Sequence, residues 1–442
     1  MLNLAERIVK EGERLGFEDT LVIVRRSRGT LSRFSDKGVA LNDSFDSSEV
    51  SLNAGKEGRK VVAHFTIHDS DEICKELKRL PNLLKVTDPL AIYAALPTKI
   101  EKYRVIDGLF DKRVGELNHF EIMRDIINNA DGEKVDSIAG TLTLVESEDA
   151  MCTSQGQEGC YKRSEIELNL RAFADKEASG QGIAVSTAFD KFDYLGATRK
   201  ACREAKMAEK PVNVDPGKWE VLLAPPVVAN LFGEVGMFAS AYYVDAGISF
   251  LAGKLGNKIS MEGLNLFDWG NVPYGLASSP FDWEGTPTRQ TRIISKGVLS
   301  SYLHNLTTAK RFNTESTGNA GWVVPEPTNL VIAPGTETEK SLLKKVSKGI
   351  YITNNWYTRY QNYREGTFSS VGRDAAFLIE SGEIKKPLKG IRISDSLPSL
   401  LSNICSISKE RYWVRWWDAE VPVLAPFMLV NELGITTPSC PA

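Results

Sequence analysis

Cysteine is sparse in this chain of 442 residues: its six copies, Cys74, Cys152, Cys160, Cys202, Cys405 and Cys440, build no dense framework and no Cys-x-x-Cys pair. That pattern argues against a disulfide-stapled scaffold and reads as reduced thiols. A bridge between Cys152 and Cys160 would require the fold to bring those two together. A surplus of charge of one sign is also missing. Lys and Arg number 54 against 57 Asp and Glu, a net charge of −3, so no basic field exists to neutralise phosphates and no nucleic-acid partner is expected. No apolar run approaches the roughly 18 residues needed to cross a bilayer. The opening Met1-Leu-Asn-Leu-Ala-Glu-Arg-Ile-Val-Lys-Glu11 mixes charge into every turn, where a secretory leader would be apolar. These absences give the expectation of a cytoplasmic protein without a membrane contact. Common catalytic signatures are lacking too. No Gly-x-Ser-x-Gly elbow occurs, and Gly247-Ile-Ser-Phe-Leu-Ala-Gly-Lys254 has one residue too many for a phosphate loop and no following Ser or Thr. There is no internal repeat and no low-complexity tract.

What is present is a globular composition, 42% apolar and 25% charged, in a chain long enough for about two to three domains. Leu4, Ile8, Leu15 and Phe17 fall near helical spacing opposite a charged face, so the chain opens with an amphipathic helix ended by Gly16. Thr20 to Arg25 reads as a strand, Val39 to Leu52 as two strands joined through Asn42-Asp43-Ser44, and Lys60 to His68 as another. His64 and His68 invite a metal reading, but in a strand they sit about 13 Å apart along the chain, which favours two separate strand histidines. Asp69-Ser-Asp-Glu72 caps a helix through Leu77 and Leu80. A helix from Asn118, strands at 138–146, 161–172 and 182–186, and a helix over 192–208 complete an α+β domain with an antiparallel sheet, residues 1–210. Glu209-Lys-Pro-Val-Asn-Val-Asp-Pro-Gly217 is the best linker in the chain. Beyond it, Trp219 to Ala224 is a strand and Pro225 opens a helix with proline in its first turn. Most of the rest is strand and turn, so residues 219–442 read as a β-rich domain around a central helix. The fold class is α+β in two domains.

The richest stretch lies between Gly275 and Trp322. Thr291-Arg-Ile-Ile294 and Val298-Leu-Ser-Ser-Tyr-Leu303 form a hairpin across Ser295-Lys-Gly297, where glycine supplies positive φ. Around it stand Gly275-Leu-Ala-Ser-Ser-Pro-Phe-Asp-Trp-Glu-Gly285 and Ser316-Thr-Gly-Asn-Ala-Gly321, two loops shaped by Gly, Ser, Asn and Asp. Loops of this kind often carry function. Asp282 and Glu284 are a candidate carboxylate pair in a structural turn, and Ser316 and Asn319 are candidates for contact with a peptide backbone. Asn354-Asn-Trp-Tyr-Thr-Arg-Tyr-Gln-Asn-Tyr-Arg364 packs four aromatics and two arginines into a polar loop, with Trp356 and Tyr360 as candidates for domain packing or an interface hot spot.

Together with Gly366-Thr-Phe-Ser-Ser370 and Phe377-Leu-Ile-Glu-Ser-Gly-Glu-Ile384, these ordered motifs resemble the TldD/PmbA family of microcin-processing, zinc-dependent peptidase subunits, and most of all its TldE (PmbA) branch. The resemblance spans most of residues 219–400. It implies a helix that, in the hydrolysing members, carries His-Glu-x-x-x-His plus a later cysteine. There, imidazoles and a thiolate hold Zn²⁺ while the glutamate acts as base on the bound water. Here Phe232 and Met237 stand where the histidines would be and Gly233 where the glutamate would be, with Glu234 one place out of register. The later segment, Trp413-Val-Arg-Trp-Trp-Asp-Ala-Glu420, has no cysteine. The resemblance therefore implies a chain without catalytic residues or a metal of its own, with zinc in a TldD-like partner that bears the intact motif. It further implies a heterodimer with that partner or a homodimer, acting on unfolded peptides. Two alternatives stay open: a stand-alone metallopeptidase with a divergent metal site, and an adaptor or modulator of another protein, as the older family name, modulator of DNA gyrase, suggests.

Overall fold

The computed structural model describes residues 1–35, 38–67 and 70–437, and it is an α+β protein built on two sheets. The first takes six strands in the order β3-β2-β1-β4-β5-β6, all antiparallel. These are β1 (Asp19–Ser35), β2 (Gly38–Lys56), β3 (Arg59–Thr66), β4 (Ser137–Thr153), β5 (Glu158–Phe173) and β6 (Ser179–Ser186). Helix α1 (Leu2–Arg14) buries Ala5, Ile8 and Val9 against it. Helices α2 (Ser70–Leu77), α3 (Leu80–Val86), α4 (His119–Glu133) and α5 (Tyr194–Met207) also belong to this part. Asn118 caps α4 by accepting from the Phe120 amide at 3.1 Å.

Two expectations change here. Strand β2 runs straight through Asn42-Asp43-Ser44 instead of turning. Its neighbour β1 presents Ser32, whose hydroxyl donates to Asn42 Oδ1 at 2.7 Å, so the turn-forming side chain is satisfied across the strands. The helix expected from Asp69 is two pieces, because Pro81 occupies the first turn of α3 and cannot continue α2. Val62, His64 and Thr66 do share the face that strand periodicity assigns. His64 Nδ1 lies 3.0 Å from the Ser51 hydroxyl and its ring meets Trp322 edge-on. His68 and Asp69 lie outside the described residues. Cys152, Cys160, Cys202 and Cys405 are free thiols.

The second sheet is mixed. Its main path is β10-β9-β8-β11-β19-β7-β12-β15-β16, with β18 paired to β19 and a branch from β19 through β17 and β14 to β13. The strands are β7 (Gly217–Leu223), β8 (Leu266–Trp269), β9 (Gln290–Ser295), β10 (Val298–Leu299), β11 (Leu330–Ile332), β12 (Lys348–Ile352), β13 (Asn355–Asn362), β14 (Thr367–Gly372), β15 (Ala376–Glu380), β16 (Glu383–Leu388), β17 (Arg392–Ser396), β18 (Ile404–Trp416) and β19 (Ala419–Thr436). The β11–β19 and β7–β12 pairs are parallel. The β9–β10 hairpin turns through Lys296 and Gly297 with φ of 47° and 76°. A Cβ on Gly297 would stand 2.4 Å from the Ser260 carbonyl oxygen, so only glycine fits there. The aromatic segment at 354–364 is a strand rather than a loop: β13 pairs with β14, Tyr360 opposite Phe368. Its alternating aromatics suit a half-buried strand, and its polar Asn355 is buried and bonded below.

Partly buried ion pairs join the two sheets. Arg415 of β18 reaches Glu165 and Glu167 of β5, the latter at 2.8 Å. Arg171 of β5 pairs with Asp374 at 2.5 Å. Asn354 donates to Gln181 Oε1 at 2.7 Å.

Candidate functional site

Helix α6 (Pro225–Phe238) is apolar nearly all round, and every residue in it is buried except Glu234 and Met237. A helix of that composition must be enclosed on most sides. Gly236 allows close approach to β11, since a Cβ there would meet Leu330 Cδ1 at 2.6 Å. The one open side faces a cavity of about 580 Å³. From α6 it is lined by Asn230, Gly233, Glu234, Met237 and Phe238. Tyr243, Ile248, Thr358, Arg359 and Tyr363 form one wall, and Trp417, Asp418, Glu420 and Val421, at the turn from β18 into β19, form another.

The floor is a polar network that ties these elements together. Asn230 Oδ1 accepts from Asn355 Nδ2 at 2.8 Å and from the Thr358 hydroxyl at 2.6 Å. Asn230 Nδ2 donates to the Asp418 carbonyl and, at 3.2 Å, to its carboxylate. The turn bearing Trp417 and Asp418 is thereby fixed against α6. Aromatics pack edge-on around it: Trp417 meets Trp356 at 5.9 Å and Tyr357 at 5.8 Å, and the Arg373 guanidinium lies 3.8 Å over Trp356.

The electrostatics are lopsided. Burial, and then the charges of Asp418 and Glu420, push the Glu234 carboxyl up to about 7. Burial also raises Asp418, against the opposing pull of a Tyr357 amide, Arg359 and Asn230. The Tyr360 hydroxyl is buried without a partner among the described residues and is raised by burial and by Glu234.

The positions of the zinc motif can now be placed. Gly233 and Met237 open onto the cavity, and a Cβ on Gly233 would meet only Val421 Cβ at 3.7 Å. Phe232 turns away into the core, 1% exposed. The segment expected to bear the later ligand does reach the cavity, but it offers Asp418 and Glu420. Cys405, at the start of β18, lies near Leu429 and Asn431 instead. The donors present do not fit zinc. The cavity presents carboxylates and one thioether with no imidazole or thiolate, and among the described residues no three His, Cys, Asp or Glu are grouped to hold a metal ion.

The loop candidates lie elsewhere. Asp282, 6% exposed, accepts the amides of Glu284, Thr286 and Ala320, each at 2.9 Å. Burial and the neighbouring Glu284 raise its carboxyl. Glu284 accepts the Leu306 amide at 2.8 Å and faces Lys60 at 3.6 Å. Asn319 donates to Asp268 at 2.6 Å, and the Ser316 hydroxyl to the His304 carbonyl at 3.2 Å. None of the four lines the cavity beside α6. Trp356 and Tyr360 pack against the large core at its edge, while Thr358 and Arg359 between them line it. Sequence reasoning did not single out Asn230, Asp418, Glu420, Tyr243 or Tyr363. The cysteine-free segment 413–420 was the available signal for two of these.

Residues 216–437 match the PmbA/TldA metallopeptidase C-terminal domain, and residues 90–209 match the PmbA/TldA metallopeptidase central domain. The chain belongs to the PmbA/TldD family. Among its family relatives, a metalloprotease of Methanocaldococcus jannaschii is 26% identical over 70% of this chain and 71% of its own length. The metalloprotease PmbA of Escherichia coli O157:H7 is 29% identical over 45% of this chain and 43% of its own. The crystal structure of TldE from Thermococcus kodakarensis has the same fold, with a TM-score of 0.86, 20% identity, and coverage of 98% of this chain and 100% of that one. Among the described residues no helix is long and apolar enough to cross a membrane.

Proposed function

We propose that this chain is a metal-free, TldE-like subunit of a TldD/TldE-type peptidase, closing one wall of the chamber in which a TldD-like partner cleaves unfolded peptides. The observation that carries the reading is the cavity beside α6: it lies between the helix and the later segment where the family motif would stand, while the motif positions hold Phe232, Gly233 and Met237. Such a wall positions substrate rather than activating water. Positioning alone can lower a barrier by several kcal/mol. The exposed aromatics Tyr363 and Trp417 of the cavity lining, with Tyr357 against Trp417, support an interface there, since aromatic and Arg side chains dominate binding hot spots. The partner is a subunit bearing the intact His-Glu-x-x-x-His, and a second copy of this chain is the alternative occupant. The test is hydrolysis of an unfolded peptide by a TldD-like subunit with and without this chain. A rate raised by the addition, with no cleavage by this chain alone, is expected. An unchanged rate refutes the proposal.

A further inference from the structure

We propose that the cavity beside α6 is a receptor for an organic cation, the ammonium or guanidinium group of a peptide. The choice of a peptide as carrier rests on the function proposed above; the charge and walls of the cavity do not. Its volume, about 580 Å³, accommodates a long side chain or a chain terminus. Three carboxylates, Glu234, Asp418 and Glu420, face one guanidinium, Arg359. That guanidinium lies 5.3 Å over the Tyr357 ring and donates to the Thr358 carbonyl. Glu234 accepts no hydrogen bond and joins no ion pair among the described residues. A partly buried carboxylate without a donor is costly, and the cost is relieved by a ligand that brings one. Behind the lining, next to Glu234, the Tyr360 hydroxyl is buried with no partner among the described residues. Phe238, Tyr363 and Trp417 add aromatic surface, the surroundings that favour a cation over an anion or a neutral apolar group.

The experiment is calorimetric titration of the purified full chain at pH 8 with four peptides of one neutral sequence: free at the N-terminus; N-acetylated; N-acetylated with one internal Lys; and N-acetylated with Glu at that place. A peptide with a cation is expected to bind about tenfold tighter or more than the acetylated neutral one, the gain of a charge-assisted hydrogen bond. Whichever cationic arm shows the gain names its source, terminus or side chain. Glu234→Gln should abolish the gain, and its melting curve reports whether it folds. Glu420→Gln is the second variant and should reduce the gain, as should raising NaCl from about 0.05 to about 0.5 M. The proposal is overturned if no cationic peptide outbinds the neutral one, if the Glu peptide binds best, or if Glu234→Gln keeps the full gain. The titration contains no peptidase partner, so loss of the chamber function leaves this result standing, and the converse also holds.

Discussion

Asp282 and Glu234 are both carboxyls raised by burial, yet their surroundings are opposite. Asp282 sits in the turn-rich region 275–321 and takes three backbone amides. Glu234 sits on the open side of α6 with no donor among the described residues and two like charges facing it. The first arrangement is a fastening: it fixes the 282–286 turn to the 318–321 turn. The second leaves a group unsatisfied at a cavity wall. The carboxylates of the loops with the strongest compositional signal are therefore satisfied internally, and the unmatched carboxyl lies in a cavity formed by segments far apart in the chain.

If Asp282 is a fastening, Asp282→Ala should be the most damaging change, leaving three buried amides unpaired at a cost of about 3 to 5 kcal/mol. Denaturant unfolding measures it; a loss below about 1 kcal/mol would remove the distinction. Arg415→Ala is the next test. It strands Glu165 and Glu167 between the two sheets, with side chains about one-fifth exposed, for an expected loss of about 3 kcal/mol. Adding Glu165→Gln and Glu167→Gln to that variant should restore part of it, since the uncompensated charges are then gone.

Glu234→Gln should go the other way. The folded carboxyl titrates near 7 and the unfolded one near 4.3. Below about 4.3 both states hold the proton and nothing is lost. As pH rises from there to about 7, the unfolded chain releases its proton while the fold retains it, so stability falls. The Gln variant escapes that loss. It should be about 1 to 2 kcal/mol more stable than the parent at pH 8 and equal to it near pH 4.5, read from thermal melts at both values. Tyr360→Phe should change least. Its buried hydroxyl has no partner among the described residues, so removal should be neutral or stabilising by less than about 1 kcal/mol.

Much of the fold was legible because local chemistry and tertiary structure agree. The Lys296-Gly297 turn, the proline-led start of α6 and the Asn118 cap each follow from the residue that makes them. Two of the three departures share a cause. Asn42-Asp43-Ser44 and the 354–364 segment carry polar or turn-forming residues whose needs are met by other elements, by Ser32 of β1 in one case and by Asn230 of α6 and Ser370 of β14 in the other, and no local pattern reveals such a partner. The site divides in the same way. The altered zinc motif and the cysteine-free segment were visible through the family resemblance. That Asp418 meets Asn230 across 188 residues, and that Glu234 rather than Phe232 faces the cavity, depends on how α6 is rotated in the core.

The central claim is that this cavity holds and orients rather than cuts. The most direct measurement is elemental analysis of the purified chain coupled to an unfolded-peptide hydrolysis assay with and without chelator. The account predicts well under one zinc per chain and no hydrolysis by the chain alone. About one tightly held zinc per chain, with hydrolysis lost on chelation, would contradict it.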